Sequence, residues 1–416
     1  MTHSTSNRRQ WLKQSSVLGL ASATAASAIA ESASTGLPPQ VPSWTTSLGK
    51  PFLSPAYGVP SEHEKHVKRA LLPNPGPYPT ASRTPLQSLH GTVTPNGLVF
   101  ERHHAGFPSI ASQDHRLMLH GMVDRPLIFT MEDIVRFPSE SKVYFLECSG
   151  NSALELKKPT GVTAQDTHGM LSCCEWTGVR LSTVLQEAGI QKQATWLLAE
   201  GADAAAMTRS IPMAKALDDA MLVYAQNGEM LRPEQGYPLR LFLPGFEGNM
   251  SVKWLRRLKL GDAPWQSREE TSAYTDLMPD GSALQFTFHM DVKSVITSPS
   301  GGQTIQRPGF YEIQGFAWSG RGKIRRVEVS VDGGKNWQDT ALQEPIQSKA
   351  VVRFRFPWQW QGQAALLQSR ATDEYGHVQP SRSQIIADKG MNFYYHNNAI
   401  QTWQVSAQGE VRNVHA

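Results

Sequence analysis

The 416-residue chain contains little cysteine, and several motifs that mark common protein classes are missing. Its three cysteines, Cys148, Cys173 and Cys174, are odd in number and two are adjacent, which argues against a disulfide framework. No Cys-x-x-Cys-His motif occurs, so we expect no c-type haem on this chain. A glycine-rich phosphate loop and a Gly-x-Ser-x-Gly elbow are also absent, which argues against P-loop nucleotide binding and an α/β-hydrolase nucleophile.

Strong net charge and long apolar runs are missing as well. The formal net charge is +4, and Arg8, Arg9 and Lys13 supply most of that excess, so the rest of the chain is nearly neutral. A nearly neutral chain lacks the basic surface that nucleic-acid binding requires. The apolar run from Val17 to Ala30 is short and weakly apolar, and we expect no membrane span.

The N-terminal stretch predicts export. Its paired arginines and apolar run resemble a twin-arginine signal, which exports proteins already folded around a cofactor, and Ala28-Ile-Ala30 is a candidate cleavage site. We therefore interpret residues 1–30 as a signal peptide and expect the mature protein in the periplasm. The alternative is a chance arginine pair in front of a disordered tail.

The composition changes along the chain in a way that predicts its organisation. Residues 31–85 are rich in proline, glycine and serine and predict an irregular segment. Residues 86–285 mix strands with short helices, among them one that starts with a capping box at Thr130 and one over 211–217. They show no regular βαβ repeat, which indicates the α+β class. Residues 286–416 contain short strands at regular spacing and predict an all-β sandwich of immunoglobulin type.

The run around Cys148 carries the most specific chemistry. Val143 to Leu146 is apolar and predicts a buried strand, and Ser149-Gly-Asn151 predicts a turn directly after the thiol. A cysteine at a strand end is a nucleophile, a soft metal ligand or an inert core residue, because free cysteines are among the most buried residues. The local sequence leaves these three interpretations open.

Imidazoles and cations follow other predicted strands. Arg102, His103 and His104 come after the apolar run that begins at Gly97, and such histidines are surface residues more often than ligands. Arg240 and Lys253 also follow apolar strands, where a phosphate group is one partner and solvent is the other.

These segments together resemble the sulfite oxidase family of molybdenum enzymes. Cys148-Ser-Gly-Asn151 resembles the family's Cys-x-Gly-Asn motif, whose thiolate binds molybdenum, and Arg102 with His104 resembles its Arg-x-His motif. Further similarities occur at Ser172-Cys-Cys-Glu-Trp176-Thr-Gly178, Asp203, Gly236-Tyr-Pro-Leu-Arg240, Pro244-Gly245, Val252-Lys253-Trp254-Leu255 and Tyr274. The resemblance covers roughly residues 85–416.

The resemblance implies a molybdenum cofactor, Mo-molybdopterin, with Cys148 as the protein ligand of the metal. It implies a sulfite-oxidase-type molybdopterin domain followed by an immunoglobulin-like sandwich that forms a homodimer contact. A soft thiolate suits a soft, high-valent metal. The implied cofactor-binding residues are His104, Cys148, Asp203, Gln235, Arg240, Ser251 and Lys253. The implied catalytic residues are Tyr274, Arg102, Lys389 and Asp166.

Four positions depart from the sulfite-oxidising members. Ala153 replaces an arginine, Asp166 a tryptophan, Lys389 an arginine of the substrate pocket and Gln235 a pterin-contacting histidine. Free sulfite is a small dianion that guanidinium groups grip in a bidentate way. The pocket would exchange such donors for a point charge and an acid, which suits free sulfite less well. We therefore predict that the substrate sulfur is bound to a carrier protein.

Within the family, the segments Thr94–His104, Phe145–Ser152 and Tyr395–Ile400 resemble the sulfane dehydrogenases. This implies oxidation of a sulfane on a carrier-protein cysteine to a sulfonate, with electrons passing to a c-type cytochrome subunit in a heterotetramer. One alternative is a sulfite:cytochrome c oxidoreductase of the same family. Another is a cofactor-free module that docks sulfur-carrier proteins, and the intact set of implied cofactor ligands argues against it.

Overall fold

The computed structural model describes residues 57–71, 78 and 80–415. The predicted export signal at residues 1–30 lies outside the described residues. Residues 65–416 form one compact unit, and residues 57–64 belong to a separate unit and include a 3-10 turn at Glu62–Glu64. Among the described residues, no helix has both the length and the apolar character that crossing a membrane demands.

The strands of the first half of the compact unit are mostly short. They are β1 (Ala70–Leu71), β2 (Thr80–Arg83), β3 (Arg102–His103), β4 (Leu117–Gly121), β5 (Leu127–Phe129), β6 (Ser139–Glu147), β7 (Leu171–Arg180), β8 (Trp196–Gly201), β9 (Thr208–Pro212), β10 (Met221–Gln226), β11 (Glu229–Met230), β12 (Arg240–Phe242), β13 (Leu255–Gly261), β14 (Asp276–Leu277) and β15 (Ala283–Leu284). The helices between them are α1 (Met131–Val135), α2 (Ala164–His168), α3 (Leu181–Ala188), α4 (Met213–Asp218) and α5 (Arg268–Thr271).

Two sheets organise this half. One has the strand order β11-β10-β7-β6, with β12 also paired to β10, and the other has the order β5-β4-β13-β8-β9. All of these pairs are antiparallel except β13 with β4. The helices are short and follow no βαβ pattern, so the predicted α+β class is confirmed.

Local sequence signals explain several element boundaries. The hydroxyl of Thr130 accepts from the backbone N–H of Asp133 and the Asp133 carboxylate accepts in return, which is the predicted capping box of α1. Gly189 ends α3 at φ 70°, where a β-carbon would be strained. The helix predicted over 211–217 begins instead at Met213, because residues 211 and 212 pair with β8 as the end of β9.

The second half is the predicted immunoglobulin-like sandwich. Its strands are β16 (Lys293–Ser298), β17 (Gly309–Trp318), β18 (Ile324–Ser330), β19 (Gln338–Asp339), β20 (Ala341–Leu342), β21 (Val352–Trp360), β22 (Ala365–Asp373), β23 (Thr402–Val405) and β24 (Val411–Val414). They form two sheets with the orders β16-β17-β21-β20 and β19-β18-β22-β23-β24. One helix, α6 (Arg382–Lys389), interrupts the otherwise all-β segment.

Strand β7 separates the two hydrophobic cores that matter for the site. Its adjacent cysteines point to opposite faces, as successive residues of a strand must. Cys173 packs with Phe145 in the core that continues into the sandwich, and Cys174 packs with Trp176 in a core on the other face. Both thiols are buried, and burial raises the pKa of each to about 12. They are inert core residues, in contrast to the thiol at the end of β6.

Candidate functional site

Cys148 follows β6 directly and opens a tight turn. Its backbone N–H donates to the carbonyl of Met170 at 3.0 Å, and its carbonyl accepts from the N–H of Asn151 at 2.9 Å. Beneath the turn, the buried carboxylate of Glu147 accepts from Asn151 Nδ2 at 2.9 Å and from Lys293 Nζ at 3.0 Å. Because Lys293 begins β16, the turn is anchored to the sandwich as well as to its own sheet.

The turn opens onto a cavity of about 700 Å³, part of which is open to solvent. Most of the residues predicted from the sequence lie in its wall, although they come from widely separated parts of the chain. They are Arg102, His104, Cys148, Asp203, Gln235, Arg240, Ser251, Lys253 and Tyr274. The structure therefore brings one thiol, several cations and a phenol to a single concave surface.

Arg240 enters the cavity wall at the start of β12 and is 3% exposed. Its Nε donates to the carbonyl of Ser251 at 3.1 Å and its Nη1 to the carbonyl of Gln235 at 3.2 Å. Its guanidinium lies 5.5 Å from the ring centroid of Trp176. Burial lowers the pKa of Arg240 to about 9.

Lys253 provides a second cation close to Arg240. Its Nζ donates to the carbonyls of Arg102 and Glu234, each at 3.1 Å, and lies 3.0 Å from His103 Nδ1. Burial lowers the pKa of this amine well below its usual value, and the charge of Arg240 adds to the effect. Within the described part of the chain, neither cation forms an ion pair with a carboxylate. Two clustered cations of this kind fit an anionic ligand such as a phosphate.

Two neighbouring imidazoles line the cavity in different roles. His103 is 2% exposed, and its Nε2 lies 2.8 Å from Glu101 Oε2 while Nδ1 faces the amine of Lys253. Burial lowers the pKa of His103 to about 3 and that of His104 to about 4, so both rings are neutral near pH 7. His104 Nε2 shares a hydrogen bond with the Tyr274 hydroxyl at 3.3 Å.

Tyr274 and Cys148 are the cavity residues with the predicted catalytic and metal-binding roles. Burial raises the pKa of the Tyr274 hydroxyl above its usual range, so the phenol keeps its proton. The Cys148 thiol is partly exposed, and burial raises its pKa while the N–H of Gly150 and the charge of Arg102 oppose that effect. A single soft thiol beside a cationic wall fits the molybdenum cofactor that the sequence resemblance implies.

Two predicted site residues do not line this cavity. The carboxylate of Asp166 caps α2, where it accepts from the backbone N–H and the hydroxyl of Thr163, each at 2.9 Å. Lys389 ends α6, and its Nζ lies 4.4 Å from the ring centroid of Phe393. Asp166 was assigned by counting back from Trp176 and Lys389 by matching Lys389-Gly390 to the family's Arg-Gly, and neither match fixes where a side chain lies in the fold.

Several wall residues were not assigned from the sequence, among them His103, Asn249 and Trp254. His103 was weighed as a surface histidine, but β3 pairs with β2 and buries it. Residues 80–83, which the sequence predicted to be irregular, form that partner strand. The only sequence signal for His103 was its position one residue before His104.

Comparisons with known proteins agree with this geometry. Residues 104–269 match the family described as oxidoreductase molybdopterin binding domain, and residues 285–403 match the Mo-co oxidoreductase dimerisation domain. A solved structure, the sulfane dehydrogenase SoxCD from Paracoccus pantotrophus, has 47% identity and a TM-score of 0.89 and covers 92% of this chain and 100% of that chain.

Among curated proteins, mitochondrial sulfite oxidase of Mus musculus is 31% identical over 70% of this chain and 58% of that protein. The NADH nitrate reductase of Ulva prolifera is 31% identical over 64% of this chain and 34% of that protein. The chain thus spans little more than half the length of the sulfite oxidases that it matches and about a third of the nitrate reductase.

Proposed function

The chain belongs to the sulfite oxidase family of molybdopterin oxidoreductases, and we propose that it is a sulfane dehydrogenase of the SoxC type. In this proposal it oxidises sulfane sulfur on the cysteine of a SoxYZ-like carrier protein during thiosulfate oxidation. The electrons pass to a SoxD-like c-type cytochrome subunit. The observation that carries the proposal is the 47% identity to the sulfane dehydrogenase SoxCD over 92% of this chain.

The wall residues fit the molybdenum cofactor at both of its ends. Cys148 would hold the metal through its sulfur, and Arg240 and Lys253 would hold the phosphate of the pterin. Burial of the two cations without a carboxylate partner among the described residues supports this assignment. When bound, the cofactor supplies the oxygen-atom and electron chemistry.

The other wall residues would orient the substrate and hold a proton near it. The Tyr274 hydroxyl stays protonated and is therefore a hydrogen-bond donor or acceptor at the reacting sulfur. Neutral His104 fixes that hydroxyl through its 3.3 Å contact. The positive charge of Arg102 acts on both Cys148 and Tyr274, so it favours negative charge that develops between them.

The distribution of cations favours carrier-bound sulfur over free sulfite. Arg240 and Lys253 are tied to backbone carbonyls in the buried part of the wall, and Arg102 is the cavity-wall cation whose charge acts on Cys148. A free dianion would meet fewer bidentate donors than a sulfite-binding pocket offers. Asp166 and Lys389 do not contribute to this difference, because they lie outside the cavity wall.

The proposal also includes the location and the assembly. The twin-arginine pattern at Arg8 and Arg9 supports a periplasmic protein. The match of residues 285–403 to a dimerisation domain supports a homodimer through the sandwich, within a heterotetramer that includes the cytochrome. Light scattering of the protein with its cytochrome should give the mass of the heterotetramer, and a monomeric mass would contradict both contacts.

The deciding experiment compares two substrates with one enzyme preparation. The periplasmic protein is assayed for cytochrome c reduction with carrier-bound sulfane and with free sulfite, and its molybdenum is measured per chain. We expect one molybdenum per chain and a higher kcat/KM for the carrier-bound sulfane. A preference for free sulfite would favour a sulfite:cytochrome c oxidoreductase, and a chain without molybdenum would favour a carrier-docking module.

A further inference from the structure

A buried polar network lies behind Tyr274 and includes none of the residues assigned above. Arg209 on β9 is 1% exposed, and its guanidinium carbon lies 4.9 Å from the centroid of the Tyr274 ring. Its Nη2 donates to Glu247 Oε1 at 3.0 Å and its Nε to Met250 Sδ at 2.9 Å, whereas Nη1 has no hydrogen-bond partner among the described residues. An unpaired N–H in the core costs free energy, so the contacts of the other guanidinium nitrogens have to hold this side chain in place.

Glu247 joins the arginine to a histidine from the other half of the molecule. Its second carboxylate oxygen accepts from His396 Nε2 at 3.2 Å. Burial opposes the charge of Glu247, but the hydrogen bond from His396 and the charge of Arg209 keep the pKa of its carboxyl below the usual value. The carboxylate is therefore ionised and bonded on both oxygens, which fixes its orientation.

The segment that carries His396 touches Tyr274 and the turn that follows Cys148. The backbone N–H of His396 donates to the carbonyl of Ser149 at 2.8 Å, directly after Cys148. The preceding residue, Tyr395, packs its ring 5.2 Å from the ring of Tyr274. One chain segment between α6 and β23 thus contacts the cysteine turn and the phenol together.

The backbone is strained at Tyr274 and at His396. Tyr274 has φ 54° and His396 has φ 58°, a left-handed conformation that is strained for a residue with a side chain. Such a conformation persists only when the surrounding contacts hold it. The ring of Tyr274 is held between Arg209 and Tyr395, and His396 is held by Ser149 and Glu247.

We propose that Arg209, Glu247 and His396 form a positioning network that sets the Tyr274 hydroxyl relative to Cys148. Arg209 supports the face of the phenol ring, Glu247 orients Arg209, and His396 connects Glu247 to the turn that carries the thiol. The kinetic consequence rests on the proposed function, since it requires Tyr274 to take part in turnover. The positional claim does not, because it concerns only where the side chains lie.

The test compares Arg209→Met, which removes the charge and the planar group, with Arg209→Lys, which keeps the charge. The matched control is Arg353→Met in the sandwich, where an arginine that is 2% exposed lies 4.4 Å from the ring of Phe316. Each molybdenum-loaded protein is examined by hydrogen exchange over residues 148–152 and 272–276. A crystal structure then gives the distance between the Tyr274 hydroxyl oxygen and His104 Nε2, which is 3.3 Å in the unmodified protein.

We expect Arg209→Met to increase exchange in both segments and to displace the Tyr274 hydroxyl. Its kcat should fall by roughly 10–100-fold with KM nearly unchanged, because a displacement of about 1 Å has that effect on a reacting group. Arg209→Lys should restore part of kcat, and Arg353→Met should change neither exchange segment. If Arg209→Met does not fold, Glu247→Gln, which keeps the shape of the side chain, is used in its place.

Unchanged exchange and an unchanged hydroxyl position in the folded variant would overturn the network. An unmodified enzyme that is inactive on carrier-bound sulfane would instead count against the proposed function. The exchange and distance measurements would still decide the network in that case, because they need no substrate.

Discussion

Arg240 in the cavity wall and Arg353 in the sandwich are both buried arginines with similar surroundings. They differ in what their guanidinium nitrogens bond to. Each lies over an aromatic ring and donates to carbonyl oxygens. Arg353 uses both terminal nitrogens within the chain, at Leu89, Gly91 and Gln314. None of the described residues accepts from Arg240 Nη2, and this side chain lines the cavity. We therefore distinguish the two by their terminal nitrogens: both donate to the chain's own oxygens in Arg353, whose Nε is buried without a partner among the described residues, whereas Nη2 of Arg240 is available to a ligand in the cavity.

The backbone conformation also differs between the cavity wall and the sandwich strands. The cavity wall includes Trp254 at φ 51° and Tyr274 at φ 54°. The long sandwich strands, such as β17 and β21, are regular antiparallel pairs over their whole length. No residue with a side chain has positive φ in β17 or β21, although Lys349 in the loop before β21 has φ 57°. The long sandwich strands are thus unstrained, whereas two cavity-wall side chains project from strained backbone.

The strongest test of this contrast compares two cysteines. We expect Cys148→Ser to abolish turnover while the protein still folds, because it removes the proposed soft ligand of the metal. Cys173→Ala should retain activity and lose only packing energy, on the order of 1–2 kcal/mol. Turnover per molybdenum and the thermal midpoint check both variants. Wild-type turnover in molybdenum-loaded Cys148→Ser would contradict the ligand assignment.

The arginine pair gives the next largest effect. Arg240→Met should lower the molybdenum content per chain by about tenfold or more, because one charge-assisted phosphate contact contributes roughly 1.5–3 kcal/mol. Arg353→Met should retain the full molybdenum content but lose roughly 2–4 kcal/mol of stability, because it leaves buried carbonyls without donors. Metal analysis and denaturant unfolding distinguish the two, and equal metal contents would remove the distinction drawn here.

His103 predicts how the cavity responds to acid. Its pKa in the folded protein is about 3, below the ordinary value of 6.5, so the unfolded chain takes up the proton first. The unfolding free energy should therefore be highest above pH 6.5 and fall as the pH drops toward 3, by at most about 1.4 kcal/mol per pH unit. Thermal midpoints between pH 7 and pH 4 measure this slope. His103→Gln should reduce it, and equal slopes would exclude His103 as the cause.

The smallest effect is expected at the two predicted pocket residues outside the cavity wall. Lys389→Arg should leave kcat/KM for sulfite and for carrier-bound sulfane within about twofold. Asp166→Ala should lower the free energy of unfolding by about 1 kcal/mol through loss of the α2 cap. It should leave the ratio of kcat/KM for sulfite to kcat/KM for carrier-bound sulfane unchanged. Steady-state kinetics with both substrates checks these expectations. A shift of the ratio toward sulfite in Lys389→Arg would return that residue to the substrate pocket.

Much of the fold followed from local patterns. The strand that delivers Cys148, the capping box at Thr130 and the regularly spaced strands of the sandwich were predicted and are present. The errors occur where a distant partner decides the outcome. Residues 80–83 become a strand because they pair with Arg102 and His103, and α4 starts late because β9 pairs with β8.

The sequence alone determined the family of this protein, because its motifs resemble those of the sulfite oxidase family in a fixed order, and that resemblance implied Cys148 as a molybdenum ligand. Only the tertiary structure decided which polar groups share the cavity. It buried His103 and assembled Arg209, Glu247 and His396 behind Tyr274, but it left Asp166 and Lys389 outside the cavity wall. The reason is physical: burial and side-chain contact depend on pairings between segments far apart in the chain, and no local pattern records them.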